Sequence, residues 1–392
     1  MSFKRLFWNK QTRSIVIWIL YHLTRINRKR VMFVSWGGIS YSCNPRFIAE
    51  SILADEECAD FDLNFAFYFP ERIKEISPRI TRHTLGSLSY YYKIATSGFI
   101  VSNTIFAGEF FPRKRKGQIY IQSQHGGRGI KKIDFDDAEH LSPAFLKTLE
   151  EDTKRTDLLL SESAFRTKVI RSAFRYDGEV LEKGLPRNSI FFLPESSKEE
   201  IKTRVRSALN IPDDAKCLIY APTFRGNGRT DVYIFDADKV VTALTERFGG
   251  DWYILIASHP NMKSYYHTIY DFSHPRIIDV GRYENMQEML LLADVLMTDY
   301  SSTEFDFSLQ QKPIFSYVKD ADSYDRGLYI HPKDLPFPYA TTEGELCRTI
   351  LSFDQDKYLV ELIRFETDVM GLHESGHASE AVVAWMMEHI KN

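Results

Sequence analysis

Ala293-Asp294-Val295-Leu296-Met297-Thr298-Asp299-Tyr300-Ser301-Ser302-Thr303-Glu304-Phe305-Asp306 carries a short apolar run straight into three residues that cap helices well. An apolar run of four to six residues is the length of a buried strand, and a strand that feeds a helix belongs to a parallel sheet. A helix N-terminus also offers unsatisfied N–H groups and a positive dipole end to an anion such as phosphate. The competing reading is that Ser301 and Ser302 only cap the helix.

The same rhythm extends in both directions. Lys216-Cys-Leu-Ile-Tyr-Ala221, Trp252-Tyr-Ile-Leu-Ile-Ala257, Arg276-Ile-Ile-Asp279 and Pro313-Ile-Phe-Ser316 read as further parallel strands, with a helix over 198–209. An earlier series comprises Val31-Met-Phe-Val-Ser-Trp36, Asn64-Phe-Ala-Phe-Tyr68, Phe99-Ile-Val-Ser102, Ile119-Tyr-Ile-Gln122 and Leu158-Leu-Leu160, and a helix opens at Asn44-Pro45. The fold class is therefore α/β, with two Rossmann-like domains facing a central cleft. We place the N-terminal domain at 31–187 and the C-terminal domain at 188–375. A last helix within 376–392 could pack back on the first domain. Open α/β sheets bind ligands beyond the carboxyl ends of their strands, so the residues just after each strand are the candidates for chemistry.

Four strand ends stand out. Gln122-Ser-Gln124-His125-Gly126-Gly127-Arg128-Gly129 delivers a histidine into a glycine-rich turn. Glycines let the backbone approach an anion, and an imidazole near neutrality suits a general base. The plain alternative is a basic loop with a solvated histidine. Pro222-Thr223-Phe224-Arg225 offers an arginine whose planar fork matches phosphate oxygens. Ser258-His259-Pro260 is a weaker signal, and Thr298-Asp299-Tyr300-Ser301-Ser302 is the fourth. Asp134, Asp136 and Asp137 read as a helix start rather than a magnesium site, so we expect no metal and no cofactor.

Composition excludes several classes. The 392 residues are 44% hydrophobic and 26% charged, with a net charge of -3, which gives no nucleic-acid signature. Four scattered cysteines form no CxxC pair. Residues 1–30 stand apart. They hold no Asp or Glu but carry Lys4, Arg5, Lys10, Arg13, Arg25, Arg28, Lys29 and Arg30 around an apolar run from Ser14 to Leu23. That run is too short to span a bilayer, which needs about 20 apolar residues. With Trp8, Trp18 and Tyr21 it reads as an amphipathic segment for an anionic membrane surface. The bland reading is a helix packed on the body of the protein.

The ordered series Gln-His-Gly at 124–126, Gly184-Leu185-Pro186-Arg187-Asn188, Ala-Pro-Thr-Phe-Arg at 221–225, His259-Pro260 and Thr298-Asp-Tyr-Ser-Ser302 resembles the CDP-glycerol glycerophosphotransferase family of teichoic-acid primases and polymerases. The resemblance runs over about 31–372. It implies a GT-B fold and a peripheral protein on the cytoplasmic face of the membrane. It also implies transfer of a polyol phosphate from a CDP-activated donor to a hydroxyl of a lipid-linked acceptor, with release of CMP. Carried onto this chain, it puts His125, Gly126, Gly127 and Arg128 at the reacting centre, beside Gln124. It puts Arg187, Pro222, Thr223, His259, Ser301, Ser302 and Asp306 around the donor, with His259 a second catalytic histidine. The chain has Gln124 where the family has Trp, Gly127-Arg128 where it has Thr-Pro, Leu185 for Tyr and Ala257 for Arg. CDP-glycerol and CDP-ribitol both stay open as donors.

On this reading His125 takes the acceptor proton, while Arg225, Arg187, His259 and the helix start at Ser301-Ser302 hold the diphosphate. Two alternatives stay open: a GT-B glycosyltransferase using a nucleotide sugar, and an inactive scaffold within a polymer-synthesis complex.

Overall fold

The computed structural model describes residues 10–108, 111–225, 229–258, 262, 266–324 and 326–391. The chain forms two compact units. The first holds the chain up to His125, then Asp134–Ser189 and His373–Asn392; the second holds Gly126–Ile133 and Ile190–Leu372.

In chain order the first unit has α1 (Lys10–Leu23), β1 (Asn27–Val34), α2 (Cys43–Ala54), β2 (Asp62–Phe67), β3 (Thr81–Thr84), α3 (Leu88–Thr96), β4 (Ser97–Ser102), β5 (Ile119–Gln122), α4 (Pro143–Thr153), β6 (Leu158–Ser161), α5 (Ala164–Ala173) and β7 (Glu179–Glu182). The strands lie in the order β3-β2-β1-β4-β5-β6-β7, and every pairing is parallel. Side chains alternate faces along a strand, so β1 feeds two cores. Val31 and Phe33 pack with Phe65, Phe99 and Val101 on one face. Met32 and Val34 pack with Ile100, Tyr120 and the α3 residues Tyr90, Tyr91 and Ile94 on the other. Full burial of a side chain such as Phe33 is worth about 1.5–3 kcal/mol.

The second unit has α6 (Glu195–Leu209), β8 (Lys216–Tyr220), α7 (Ala237–Phe248), β9 (Trp252–Ile256), β10 (Ile277–Asp279), α8 (Met286–Leu292), β11 (Val295–Thr298), α9 (Thr303–Ser308), β12 (Ile314–Tyr317), β13 (Tyr339–Ala340), α10 (Glu343–Leu351) and α11 (Gln355–Arg364). Its sheet is also parallel, in the order β10-β9-β8-β11-β12-β13. The final helix, α12 (Ala378–Lys391), belongs to the first unit, where Val382, Val383 and Met386 join the core that contains Val31.

Three boundaries differ from those read in the sequence. β1 begins at Asn27, so 27–30 are part of the sheet and not of a detached leader. Residues 126–133 leave the first unit, because Tyr329 N donates to Ile130 O at 2.6 Å and Lys132 N to Gly327 O at 2.8 Å. The units change over at Ser189–Ile190 and at Leu372–His373.

α1 has two apolar sides. Ile17 and Leu20 pack on the core beside α3, while Ile15, Trp18, Ile19 and Leu23 are exposed, Trp18 by 62% and Leu23 by 79%. Arg115 fastens the helix end, donating to the Tyr21 carbonyl at 2.6 Å and the Thr24 carbonyl at 2.9 Å. Trp8 lies outside the described residues. Among those described, no helix is long and apolar enough to cross a membrane.

Candidate active site

In a doubly wound sheet the strand order reverses at one place, and the crevice beyond the strand ends there is the favoured ligand site. In the first unit this is between β1 and β4, and the residues leaving those strands are Trp36 and Asn103. His125 follows β5, the next strand along, and its ring reaches both. Nδ1 bonds the Asn103 carbonyl at 2.9 Å, and the ring centroid lies 4.7 Å from that of Trp36. A carbonyl only accepts, so Nδ1 carries the proton and the lone pair of the neutral imidazole is on Nε2. Asn103 also accepts the Trp36 N–H on its side-chain oxygen at 2.7 Å.

The turn beneath the ring is held by buried groups. Asn44 donates to the carbonyls of Ser123 at 2.7 Å and Gln124 at 2.8 Å, and accepts the Arg187 N–H at 3.0 Å. The Arg187 guanidinium donates to the His125 carbonyl and reaches Cys43 Sγ at 3.8 Å. Trp36, Cys43 and Gln124 all take left-handed backbone conformations, with φ of 49°, 57° and 56°. Such conformations cost about 1–2 kcal/mol for a residue with a Cβ and gather where geometry matters more than stability.

In the second unit the order reverses between β8 and β11. Pro222 and Thr223 leave β8; Asp299 to Ser302 leave β11. Asp299 accepts the N–H groups of Thr223 at 2.8 Å and Tyr300 at 2.6 Å on one oxygen. Its other oxygen takes Arg225 at 2.9 Å. The buried Arg225 also pairs with Asp320 at 2.7 and 3.0 Å and lies over the rings of Tyr300 and Tyr324. Its two carboxylate partners hold it firmly as a cation against the opposing effect of burial. Ser302 lies against the glycine loop: a Cβ on Gly129 would come 3.4 Å from its own Cβ, and one on Gly126 4.0 Å from its hydroxyl. The helix it precedes, α9, has only six residues.

The chain matches the family described as CDP-Glycerol:Poly(glycerophosphate) glycerophosphotransferase over residues 16–388. It belongs to that family. Similar relatives include the teichoic acid poly(glycerol phosphate) polymerases of Staphylococcus epidermidis (28% identity, 95% of this chain and 53% of that protein) and Bacillus subtilis (30%, 91% and 48%). The chain thus spans about half the length of these two relatives. The corresponding polymerase of Bacillus spizizenii is 28% identical, with 94% of each chain covered. A solved structure of the wall teichoic acid polymerase TagF superposes with a TM-score of 0.83 at 27% identity, covering 98% of this chain and 94% of that one. The GT-B-like class expected from the sequence is therefore observed, as two parallel α/β units.

Within this glycerophosphotransferase-family chain, the residues singled out in the sequence fall into distinct groups. His125, Gln124 and Arg187 come together in the first unit, and Pro222, Thr223, Ser301 and Ser302 in the second. Gly126, Gly127 and Arg128 belong to the second unit, one peptide bond after His125. Arg128 is buried there, paired with Glu366 and donating to the Phe305 carbonyl at 2.8 Å. Asp306 is buried and accepts from Gln287 at 3.2 Å. These two, with Arg225, are thus committed to protein partners. His259 lies outside the described residues. Asn44, Asn103 and Trp36 were not anticipated as site residues. Their signal was positional: Trp36 and Asn103 stand at the β1 and β4 exits, where the strand order reverses, and Asn44 in the first turn of α2, the helix that follows β1.

Proposed function

We propose that this protein transfers a glycerol-phosphate unit from CDP-glycerol to a hydroxyl of a lipid-linked, teichoic-acid-type acceptor. The observation that carries the reading is the Nδ1 bond from His125 to the Asn103 carbonyl, which puts the basic lone pair on Nε2 at a sheet's ligand-binding end. The names of the relatives, polymerases of poly(glycerol phosphate), support the choice of polyol.

His125 Nε2 accepts the acceptor's hydroxyl proton as that oxygen bonds to the phosphorus bearing glycerol. The bond from this phosphorus to the bridging oxygen breaks, and CMP departs with that oxygen. Such a displacement needs alignment and screening of the phosphate charge more than covalent help from the protein. Ser301, Ser302 and Thr223 are the hydroxyl donors for the phosphates. His259 is assigned a share in catalysis on the family resemblance alone.

The acceptor is presented at an anionic membrane surface on its cytoplasmic face, with the protein peripheral. Support comes from α1, whose outward stripe Ile15, Trp18, Ile19 and Leu23 is apolar and neighbours Arg13, Arg25 and Arg28.

The deciding assay gives the full chain CDP-glycerol, CDP-ribitol and a panel of nucleotide sugars, each with a lipid-linked disaccharide, and follows nucleotide release. CMP from CDP-glycerol, with acceptor mass rising by one glycerol phosphate or more, is expected. Turnover of a nucleotide sugar in place of any CDP-polyol would establish the glycosyltransferase reading; donor binding without turnover would establish the scaffold.

A further inference from the structure

Arg225 was the natural cation for the donor's diphosphate, but four of its five N–H groups already serve Asp299, Asp320 and the Thr223 carbonyl. Lys131 differs. It is set in place by the pairing of 130–132 with 327–329, which includes a bridge between Lys131 and Leu328. Its ammonium has three N–H donors. Among the described residues it makes one hydrogen bond, a long 3.4 Å contact to Thr223 Oγ1.

Glu304, two residues after Ser302, is fully buried, and neither carboxyl oxygen has a hydrogen-bond partner among the described residues. Asp299 accepts from Thr223, Tyr300 and Arg225, and no hydrogen bond joins it to Lys131 among the described residues. A lysine with unfilled donors therefore stands at the second unit's switch point. The Thr223 hydroxyl neighbours it, and Ser302 lies against Gly126 and Gly129 of the same loop. A donor-rich, partly desolvated site with its carboxylates already engaged or buried fits a phosphate better than a cation or a neutral polyol.

We propose that Lys131 is the residue of the second unit that receives the donor's diphosphate. This rests on the CDP-donor reading above. Burial lowers the Lys131 ammonium to about 8; the titratable groups facing it are Asp299 and, less, Glu304, which oppose that shift, and Arg326 and Arg225, which add to it, while burial pushes the Glu304 carboxyl itself well above the usual carboxylate range. The free site thus loses its positive charge as the pH rises past about 8. A bound diphosphate favours the ammonium, so binding above that pH takes up a proton.

Titration calorimetry of the full chain with CDP-glycerol, and separately with inorganic pyrophosphate, tests this. Wild-type affinity should fall as the pH passes about 8, with a heat that depends on the buffer's ionisation enthalpy. Lys131→Met should weaken both ligands about tenfold or more, as for loss of a hydrogen bond to a charged group. Lys131→Arg should keep part of the affinity and flatten the pH dependence, because a guanidinium does not titrate there. A folded Lys131→Met protein that binds both ligands like wild type overturns the proposal. If Lys131→Met does not fold, an undiminished pH dependence in Lys131→Arg overturns it instead. Should wild type bind pyrophosphate through Lys131 but ignore CDP-glycerol, the anion site stands and the donor reading falls. If CDP-glycerol is turned over and bound without regard to Lys131, the reverse holds.

Discussion

His125 donates through Nδ1 to the main-chain oxygen of Asn103 at 2.9 Å. A main-chain acceptor survives any side-chain change at position 103, so the tautomer is built into the path of the chain after β4. His125→Ala should lower kcat by about 10²–10⁴-fold, the usual contribution of a general base. Donor affinity measured by calorimetry should be nearly unchanged. A mutant with wild-type turnover sinks the assignment of the base.

Asn44→Ala removes the one side chain that satisfies Ser123 O, Gln124 O and Arg187 N–H together. Leaving such buried groups unsatisfied costs about 1–3 kcal/mol. Urea unfolding should register that loss, and kcat should fall with it while donor binding holds. Full activity in a folded Asn44→Ala protein means the turn keeps its shape without this residue.

Arg225→Ala is expected to act on stability first. It removes the cation shared by Asp299 and Asp320, two buried carboxylates, and breaking a buried pair in this way costs about 3–5 kcal/mol. Thermal melting and donor titration on the same sample separate the possibilities. An unchanged melting temperature with weakened donor binding returns the phosphate role to this arginine.

His83 makes the stability of the first unit depend on pH. Its Nε2 donates to Asn64 Oδ1 at 2.9 Å and its Nδ1 accepts from Ser89 at 2.7 Å, so the neutral ring is fully used. Burial, chiefly, lowers its pKa to about 4 from the ordinary 6.5. Between these values the unfolded chain binds the proton and the folded one does not, so stability rises with pH across that window. Melting temperature should fall as pH drops from 6.5 towards 4, and His83→Gln should flatten the dependence. An equally steep profile in the mutant assigns the effect to other groups.

The outward stripe of α1 is tested by substitution rather than truncation, because 27–30 belong to the sheet and Ile17 and Leu20 to the core. Replacing Ile15, Trp18 and Leu23 together by serine should release the chain from anionic vesicles and leave its melting curve unchanged. Co-sedimentation against ionic strength reads this out. Equal sedimentation of variant and wild type places the membrane contact elsewhere.

What could be read from the sequence, and what could not, follows from burial. β5 matches its expected limits, and β11 falls on the apolar run ahead of Asp299, because an apolar run bounded by polar residues is a strand buried on both faces. β3 and β7, Thr81-Arg-His-Thr84 and Glu179-Val-Leu-Glu182, were missed because they are the sheet's edges, where water tolerates polar side chains. The histidine and serine motifs announced themselves through glycines and caps. The partners of Arg128 and Arg225 did not, since Glu366 and Asp320 lie 238 and 95 residues away in sequence. A sequence shows that a guanidinium is present but not whether a carboxylate already fills it.

Asn44 ties together positions that lie 79, 80 and 143 residues from it along the chain. Contacts that distant are slow to form, because the entropy of closing the intervening loops must be overcome before any bond is made. During synthesis Arg187 emerges long after His125, so the nascent chain holds its histidine before it holds the clamp that orients it. The turn that carries His125 is therefore fully held only after residue 187 has been made.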